Sequence, residues 1–420
     1  MSSIFGTKMQ LKGITIGAVT SWILGMNVAS AQLISQSDKA QQIQLNTITT
    51  AVPFLMIAPD SRSGALGDAG VALSPDANSV HWNISKLAFS DKPMEFSLSY
   101  SPWLRSLVND MSLSYLSGYK KLNKNTAVGG SLRYFSLGTI TFTDEYGTTL
   151  RDFTPKEFAI DYGISQRLNK YFGVGFTGRF VNSNLTGSTN IQGAESKPGR
   201  TGAVDLSGSF INNDLRIKGK KMGVAAGINI SNIGAKMRYT NTANRDFIPM
   251  NLKLGGAATT YMDDFNKLTF TLDLNKLLVP TPPIYDSTGT NILSGMDRNV
   301  GVATGMIQSF YDAPGQIDAN GNVVKGSIGR EEMREVNIST GLEYWYAEQF
   351  AVRAGYFYED LSKGNRQFIT VGAGLKYQVL TIDMSYLVST TQQNPLANTL
   401  RFTLRFAIGD KTNSSENPEE

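Results

Sequence analysis

The sequence predicts an all-β fold: a single-chain transmembrane antiparallel β-barrel of about 14 strands with an N-terminal plug. Three observations carry this prediction. Most of the chain alternates apolar and polar residues with the period of a β-strand, and the connections between successive strands alternate between long and short. The N-terminus carries the pattern of an export signal, which directs the product out of the cytoplasm.

The alternation is clearest in the last strand pattern, 401–408. Phe402 and Phe406 occupy even positions of this run with Leu and Ile at the others, whereas Arg401 and Arg405 occupy odd positions. Successive side chains of a strand point to opposite faces, so one face meets an apolar medium and the other a polar one. In a soluble sandwich the apolar medium is the protein core, and in an outer-membrane barrel it is lipid.

Loop lengths decide between these two alternatives. The candidate strands are 94–101, 110–119, 126–137, 156–167, 171–184, 202–211, 222–232, 248–261, 266–277, 335–346, 349–358, 367–377, 379–389 and 399–408. The odd-numbered connections are mostly long and the even-numbered ones mostly tight, with 212–221 as a middling exception. Bacterial barrels combine short periplasmic turns with longer outer loops, whereas a sandwich has no reason to sort loops in this way. We therefore predict a barrel over residues 94–408.

The first 46 residues read as a targeting region. Lys8 and Lys12 precede an uncharged apolar stretch at 13–28, and Ala29-Ser30-Ala31 provides a cleavage site between small residues. This pattern predicts a signal peptide over 1–31; a retained membrane helix is disfavoured because the apolar stretch is short. Residues 32–46 are polar and rich in glutamine, which indicates a flexible leader.

Residues 47–93 differ from the rest of the chain because they mix short apolar groups with Gly, Pro and other turn residues. A short helix is expected to open at 74–79. Irregular backbone needs hydrogen-bond partners that lipid cannot supply, so we expect this segment to lie in the lumen as a plug. The plug residues singled out are Pro53, Phe54, Arg62, Asp68, His81, Trp82 and Asn83.

The connection 278–334 is long enough to need its own explanation. Two interpretations remain open: a disordered surface loop, or an ordered outer element that contacts a partner. For the second, the candidate partner-binding residues are Pro282, Pro283, Tyr285, Met306, Phe310 and Tyr311. Residues 409–420 form an acidic, polar tail that we expect in the periplasm.

Composition argues against several kinds of site. The chain has no cysteine, which excludes disulfides and thiolate chemistry, and its single histidine, His81, excludes a multi-histidine metal centre. Asp76, Ser79 and His81 are too close in sequence for a catalytic triad, which needs residues converging from separate elements. Basic residues are dispersed and the net charge is only +4, so nucleic acid is not an expected partner. We expect no catalytic, cofactor or metal site and no enzymatic activity.

The chain resembles the PorV (LptO) family in three neighbouring segments: AVPFLMIAPDSRSG at 51–64, GDAGVA at 67–72 and SPDANSVHWN at 74–83. That family is the outer-membrane barrel component of the Bacteroidetes type IX secretion system. The resemblance implies a barrel like that of the fatty-acid transporter FadL, with fourteen strands and an N-terminal plug, in the outer membrane of a Gram-negative bacterium. Where the wider group shows Asn-Pro-Ala after the plug helix, this chain has Asn83-Ile84-Ser85.

The resemblance also implies a function in protein secretion. A PorV-like protein would receive cargo bearing a C-terminal secretion domain from the SprA/Sov translocon and shuttle it to the PorU attachment complex. Its partners would be these proteins and outer-membrane lipid. Two alternatives come from other classes: a FadL-type transporter of hydrophobic compounds, and a lipid-modifying enzyme. The enzyme would need a Ser/His pair at the outer rim, and His81 in the predicted plug argues against it.

Overall fold

The computed structural model describes residues 45–104, 110–143, 146–187, 190–191, 194–217, 219–240, 245–318, 321–390 and 398–409. The predicted signal peptide at 1–31, residues 32–44 of the leader and residues 410–420 of the tail lie outside the described residues.

Strands dominate the described chain. They are β1 (Met94–Pro102), β2 (Met111–Lys121), β3 (Thr126–Leu137), β4 (Ile140–Thr143), β5 (Thr149–Phe153), β6 (Lys156–Arg167), β7 (Phe172–Asn184), β8 (Asn190–Ile191), β9 (Ala194–Glu195), β10 (Gly199–Ile217), β11 (Lys220–Gly234), β12 (Asn251–Tyr261), β13 (Asn266–Leu277), β14 (Ile284–Tyr285), β15 (Ile292–Ser294), β16 (Val336–Tyr346), β17 (Phe350–Tyr358), β18 (Gln367–Tyr377), β19 (Leu380–Ser389) and β20 (Leu400–Ile408). The helices are short: α1 (Ser61–Gly64), α2 (Ser79–Trp82), α3 (Val302–Gln308) and α4 (Ser327–Arg334), with 3₁₀ turns at Pro53–Met56 and Ile84–Phe89. Among the described residues, no helix has both the length and the apolar character needed to cross a membrane.

Fourteen of these strands form one closed antiparallel barrel, in the order β1-β2-β3-β6-β7-β10-β11-β12-β13-β16-β17-β18-β19-β20. The first strand pairs with the last, with Met94 opposite Ile408, so the sheet has no free edge. Closure satisfies the backbone N–H and C=O groups within the wall, which a lipid environment requires. The predicted fourteen-stranded barrel is confirmed.

The two faces of the wall have opposite polarity. On β20, the side chains of Phe402 and Phe406 are exposed on the outside, while those of Arg401 and Arg405 are buried on the inside. Most of the other barrel strands repeat this arrangement, whereas residues 255–261 of β12 are half-buried without alternation. A water-soluble sandwich would bury the apolar side chains instead, so the outward apolar face identifies the wall as a membrane surface.

Connection lengths orient the barrel. The connections 122–125, 168–171, 218–219, 262–265, 347–349 and 378–379 are short, and we call their end of the barrel the periplasmic end. The opposite, outer end carries the longer connections, including the hairpins β4–β5 and β8–β9. The expected loop at 212–221 is wrong, because β10 and β11 continue to Ile217 and Lys220. A register shift between Asn212 and Leu215 interrupts the alternation there without ending the strands.

The connection 278–335 is an ordered element in its described parts, 278–318 and 321–335. It contains the hairpin β14–β15 and the helices α3 and α4. We call this connection the outer cap. Of the two interpretations of this stretch, the ordered one describes the structure.

Candidate functional site

The N-terminal part of the chain passes through the barrel from its outer end to its periplasmic end. At the outer end, the backbone N–H of Asn46 donates to the carbonyl of Ser362, in the loop between β17 and β18 (2.9 Å). At the periplasmic end, the Nζ of Lys121, the last residue of β2, donates to the carbonyl of Ser90 (2.7 Å). The chain therefore enters β1 after crossing the whole interior.

We call residues 51–90 the lumen segment. Its side chains are buried or half-buried except at Pro53 and Ser74, which are exposed. Phe54 stacks on Phe135 of β3 near the outer end, with ring centroids 6.3 Å apart. Near the periplasmic end, a second apolar cluster includes Leu87 of the segment. Apolar contacts thus lie towards both ends of the lumen.

Charged groups occupy the middle of the lumen, and Arg62 in α1 is their centre. Its guanidinium donates to Glu343 of β16 (2.8 Å) and to Asp76 of the segment (3.0 Å). Glu343 also accepts from Arg353 of β17 (2.7 Å), and Arg353 donates in turn to Asp383 of β19 (2.7 Å). Because each charge has an opposite charge within hydrogen-bond distance, the network satisfies groups whose isolated burial would be costly.

The segment also contacts the wall through its backbone. The N–H groups of Gly70 and Val71 both donate to Asp273 of β13, at 2.7 and 2.9 Å. Gly355 of β17 lies so close to the segment that a Cβ at this position would stand 2.1 Å from the nitrogen of Gly67. Gly67 itself has a φ of 68°, which favours glycine. This contact requires glycine on both sides.

Different hydrogen bonds hold the side chains of His81 and Trp82. The Nδ1 of His81 lies 2.6 Å from the guanidinium of Arg133 in β3, so it accepts a hydrogen bond from that cation. Arg133 also donates to the carbonyl of Leu55 (2.8 Å). The indole N–H of Trp82 donates to Asp60 (2.6 Å). Both rings are therefore fixed inside the barrel by groups of the wall or of the segment.

Asp68 and Asn83 complete the residues singled out in this segment. Asp68 forms an ion pair with Arg401 of β20 (3.2 Å). The side-chain amide of Asn83 donates to the carbonyls of Val71 (3.2 Å) and of Gly208 in β10 (3.1 Å). Asn83 thereby links the part of the segment around Val71 to strand β10 of the wall. Pro53, the one exposed member of this group, lies at the outer end.

A second ion cluster is centred on Arg179 of β7, a residue that sequence reasoning did not identify as the partner of the inward carboxylates. Its guanidinium donates to Asp161 of β6 (2.6 Å) and Asp205 of β10 (3.0 Å), and it also contacts Asn232. A usable signal existed, since all three charges occupy inward positions of adjacent strands. Recognising the partner needed the register between strands, which sequence alternation alone does not provide.

Space beside His81 is small. A cavity of about 10 Å³ lies between His81, Arg179 and Lys253, among other residues. This is room for about one water molecule.

Ion pairs also fix the outer cap to the barrel. Lys276, near the end of β13, binds Glu335 at the end of the cap (2.6 Å). Lys363, in the loop between β17 and β18, binds Glu331 of α4 (2.7 Å) and Glu335 (3.0 Å). The side chain of Asn46 donates to Glu331 as well (3.1 Å). The cap, a neighbouring loop and the entry of the N-terminal chain are therefore one connected unit.

A titratable carboxyl lies within this unit. Asp312 accepts a hydrogen bond from the backbone N–H of Thr281 (3.1 Å). Burial, and then the carboxylates of Glu335 and Glu332, raise the pKa of Asp312 to about 7. Its charge therefore changes near neutral pH.

Over this buried ionic layer, the cap exposes apolar side chains. Those with at least 43% of their surface accessible are Tyr285, Leu293, Ile307, Phe310, Tyr311 and Met333, and the largest exposed fraction is 78%, at Met333. The other candidate partner-binding residues are less accessible. Pro282 and Met306 are half-buried, Pro283 is buried, and the carbonyl of Pro282 accepts a hydrogen bond from Asn46 (3.1 Å). Exposed apolar groups at this density mark interaction surfaces more often than inert ones.

Within the described ranges, no group of three or more His, Asp or Glu side chains is arranged to hold a metal ion.

Comparison with known proteins adds a family. The family model described as "Type IX secretion system protein PorV" matches residues 39–284, more than half of the chain. No curated protein sequence matches.

Among solved structures, a Pseudomonas aeruginosa FadL homologue is 11% identical with a TM-score of 0.41, covering 86% of this chain and 99% of that one. The Pseudomonas putida toluene transporter TodX is 10% identical with a TM-score of 0.43, covering 86% and 98%. The Ralstonia pickettii toluene transporter TbuX is 9% identical with a TM-score of 0.41, covering 82% and 96%.

Proposed function

Because this chain belongs to the PorV family of type IX secretion proteins, an outer-membrane component of that system, we propose that it receives secreted cargo and hands it on. In this proposal, cargo bearing a C-terminal secretion domain arrives from the SprA/Sov translocon at the outer end of the barrel. The chain then shuttles it to the PorU attachment complex.

One observation supports this proposal most: the outer cap is ordered yet leaves apolar side chains exposed. The Phe310 ring lies 5.8 Å from the Nζ of Lys276, which holds the cap through its ion pair with Glu335, and half of the Phe310 surface remains accessible to a partner. Tyr311 beside it is 55% exposed. Aromatic side chains on a fixed support are the usual anchors of protein interfaces. Of the six predicted partner-binding residues, the proposal relies on Tyr285, Phe310 and Tyr311, which are the exposed ones.

The lumen segment supports a closed barrel. Arg62 and Glu343 tie it to the wall, and the cavity beside His81 has room for only about one water molecule. We propose that residues 47–93 act as a plug, so that cargo binds the outer surface of the protein and does not pass through it.

The FadL-type transporter of hydrophobic compounds remains the alternative. It needs a continuous apolar path, and ligand sites of that kind usually enclose about 300–1,000 Å³. The charged network around Arg62 and the small cavity beside His81 weigh against it. We propose no catalytic activity, because the imidazole of His81 is buried and its Nδ1 is occupied by a hydrogen bond from Arg133.

The experiment is secretion from cells that lack this chain. Cells complemented with the wild type are expected to release cargo, whereas cells without the chain should retain it. Purification of the tagged chain in mild detergent should bring down folded cargo and a large translocon barrel. Unchanged secretion without the chain would rule the proposal out, and a copurifying fatty acid in place of cargo would favour the alternative.

A further inference from the structure

A basic cleft lies at the outer ends of β10 and β11, between the connections 185–198 and 235–250. Its volume is about 430 Å³. The cationic side chains that line it are Lys197, Arg200, Lys236, Arg238 and Arg245. None of its described lining residues is Asp or Glu. The cleft therefore concentrates positive charge at one place on the rim.

The cleft faces the outside of the wall. Arg200 is exposed, whereas its neighbours Gly199 and Thr201 are buried towards the interior. The Nε of Arg200 donates to the side chain of Asn182 on β7 (3.2 Å), across the outer face of the strand pair. Arg238 and Arg245 are exposed as well. A ligand of this cleft would approach from the membrane side of the rim and not from the lumen.

The height of the cleft corresponds to the lipid headgroups. Gly202 pairs with Phe180, whose ring is exposed in the outward apolar face, and Arg200 pairs with Asn182 two residues farther out. Two strand residues span about 7 Å. The headgroup region adds about 5–8 Å to each side of the hydrocarbon core. Arg200 therefore lies where the headgroups of outer-leaflet lipids begin.

Lys236 lies at the inner margin of the cleft, next to the buried ring of Phe247 and near Arg298 of the outer cap. The Nζ of Lys236 lies 4.0 Å from the centroid of the Phe247 ring. Burial, and then the nearby Arg298, hold the pKa of Lys236 below its ordinary value, although Asp246 and Asp297 act in the opposite direction. A bound anion would relieve this repulsion.

We propose that the basic cleft binds the phosphate of an outer-leaflet glycolipid headgroup, such as the phosphorylated sugar of lipid A. Arg238 and Arg245 lie next to the two residues of an antiparallel bridge, Met237 and Asp246, which brings the two ends of this loop together. Each guanidinium can present paired N–H donors to phosphate oxygens. The volume of the cleft accommodates a phosphate together with part of a sugar ring. An acidic peptide would carry the same negative charge as the phosphate. A lipid is favoured because the cleft lies on the outward face, directly above the exposed ring of Phe180. The proposal does not depend on the role in cargo transfer.

The test measures binding of lipid A to the detergent-solubilised full chain by native mass spectrometry. The variant is Arg238→Gln/Arg245→Gln, and the matched control is Lys325→Gln/Arg330→Gln, which removes two exposed cations from the outer cap. The first variant should bind bisphosphorylated lipid A about thirtyfold more weakly, because surface cations contribute ~1 kcal/mol each and 1.4 kcal/mol is tenfold. The control should bind like the wild type.

Two further arms identify the source of the phosphate. Dephosphorylated lipid A should bind the wild type as weakly as the phosphorylated form binds the double variant. Arg238→Lys/Arg245→Lys keeps the charge but removes the paired N–H donors, so its binding should lie between that of the wild type and that of the glutamine variant, which separates the loss of charge from misfolding. Equal lipid A binding by the double variant and the control would overturn the proposal. So would inorganic phosphate, or an acidic peptide, that binds the cleft as tightly as lipid A.

Discussion

Buried ion pairs hold both the lumen segment and the outer cap in place, but apolar side chains are buried in the lumen segment and exposed on the outer cap. In the lumen, Arg353 and Asp383 form an ion pair with each other, and both side chains are 0% exposed. Leu66 and Leu87 are also 0% exposed. In the cap, the ion pairs lie beneath and the aromatic residues, such as Tyr311, are on the surface. The comparison teaches that buried ion pairs fix the position of both regions, while the placement of apolar side chains differs: they are buried in the lumen segment and exposed on the outer cap.

The first prediction concerns the ion pairs in the lumen. Glu343→Ala leaves Arg62 and Arg353 without their shared carboxylate, and loss of one partner from a buried ionic network costs about 3–5 kcal/mol. We expect a large drop in the urea midpoint of the barrel in lipid vesicles. Asp214→Ala is the control, because its ion pair with Lys170 is exposed to solvent and its loss should leave the urea midpoint nearly unchanged.

A second substitution separates the segment from the wall without removing a charge. In Gly355→Ala, the new Cβ meets the backbone of Leu66 and Gly67, and overpacking of this kind costs about 1–3 kcal/mol. Gly256→Ala is the matched control on β12, where a Cβ meets nothing within 4 Å. Unfolding in urea should distinguish the two. Equal midpoints would mean that the segment is not held against β17.

The third prediction concerns the cap. Phe310→Ser should weaken binding of a purified C-terminal secretion domain about tenfold, since truncation of an interface anchor costs about 1–2 kcal/mol. Barrel stability should change little, because the ring of Phe310 is half exposed. Lys276, the cation 5.8 Å from this ring, also keeps its ion pairs with Glu332 and Glu335. Tyr146→Ser, at an exposed aromatic residue of another outer connection, should leave affinity unchanged. Affinity measured by titration calorimetry checks this, and equal losses in both variants would remove the distinction between the cap and the other loops.

The smallest expected effect is a pH dependence confined to the cap. The pKa of Asp312 is raised to about 7 in the folded state, so the folded chain holds this proton while an unfolded Asp releases it near pH 4. The cap should therefore lose stability as the pH rises from about 4 to 7. The protection factor of the Thr281 N–H against hydrogen exchange, which corrects for the intrinsic pH dependence of the exchange rate, should fall over this range. Asp312→Asn should abolish the change, and a pH dependence that persists in this variant would assign it to another group.

The strands and their outward faces could be predicted because a period of two is a local property of the chain. The pattern at 401–408 predicts both the strand and the outward position of Phe402 and Phe406, as the structure shows. The register shift between Asn212 and Leu215 disturbs this local pattern, so the extensions of β10 and β11 were not predicted.

Partners of buried charges could not be predicted in the same way. Arg179 and its carboxylates lie on three strands, and their meeting depends on cross-strand register. The path of the N-terminal chain is a similar case. Asn46 reaches the outer loops through hydrogen bonds to Ser362, Pro282 and Glu331, which are more than 230 positions away in sequence.

The central claim is that partners bind the outer cap while the lumen segment keeps the interior closed. Site-specific photo-cross-linking in intact cells tests it most directly, with the probe at exposed Phe310 and, as the matched position, at buried Val80. We predict adducts with the translocon or cargo from Phe310 and only internal contacts from Val80. Cargo adducts from Val80, with none from Phe310, would contradict the account by showing that cargo enters the barrel.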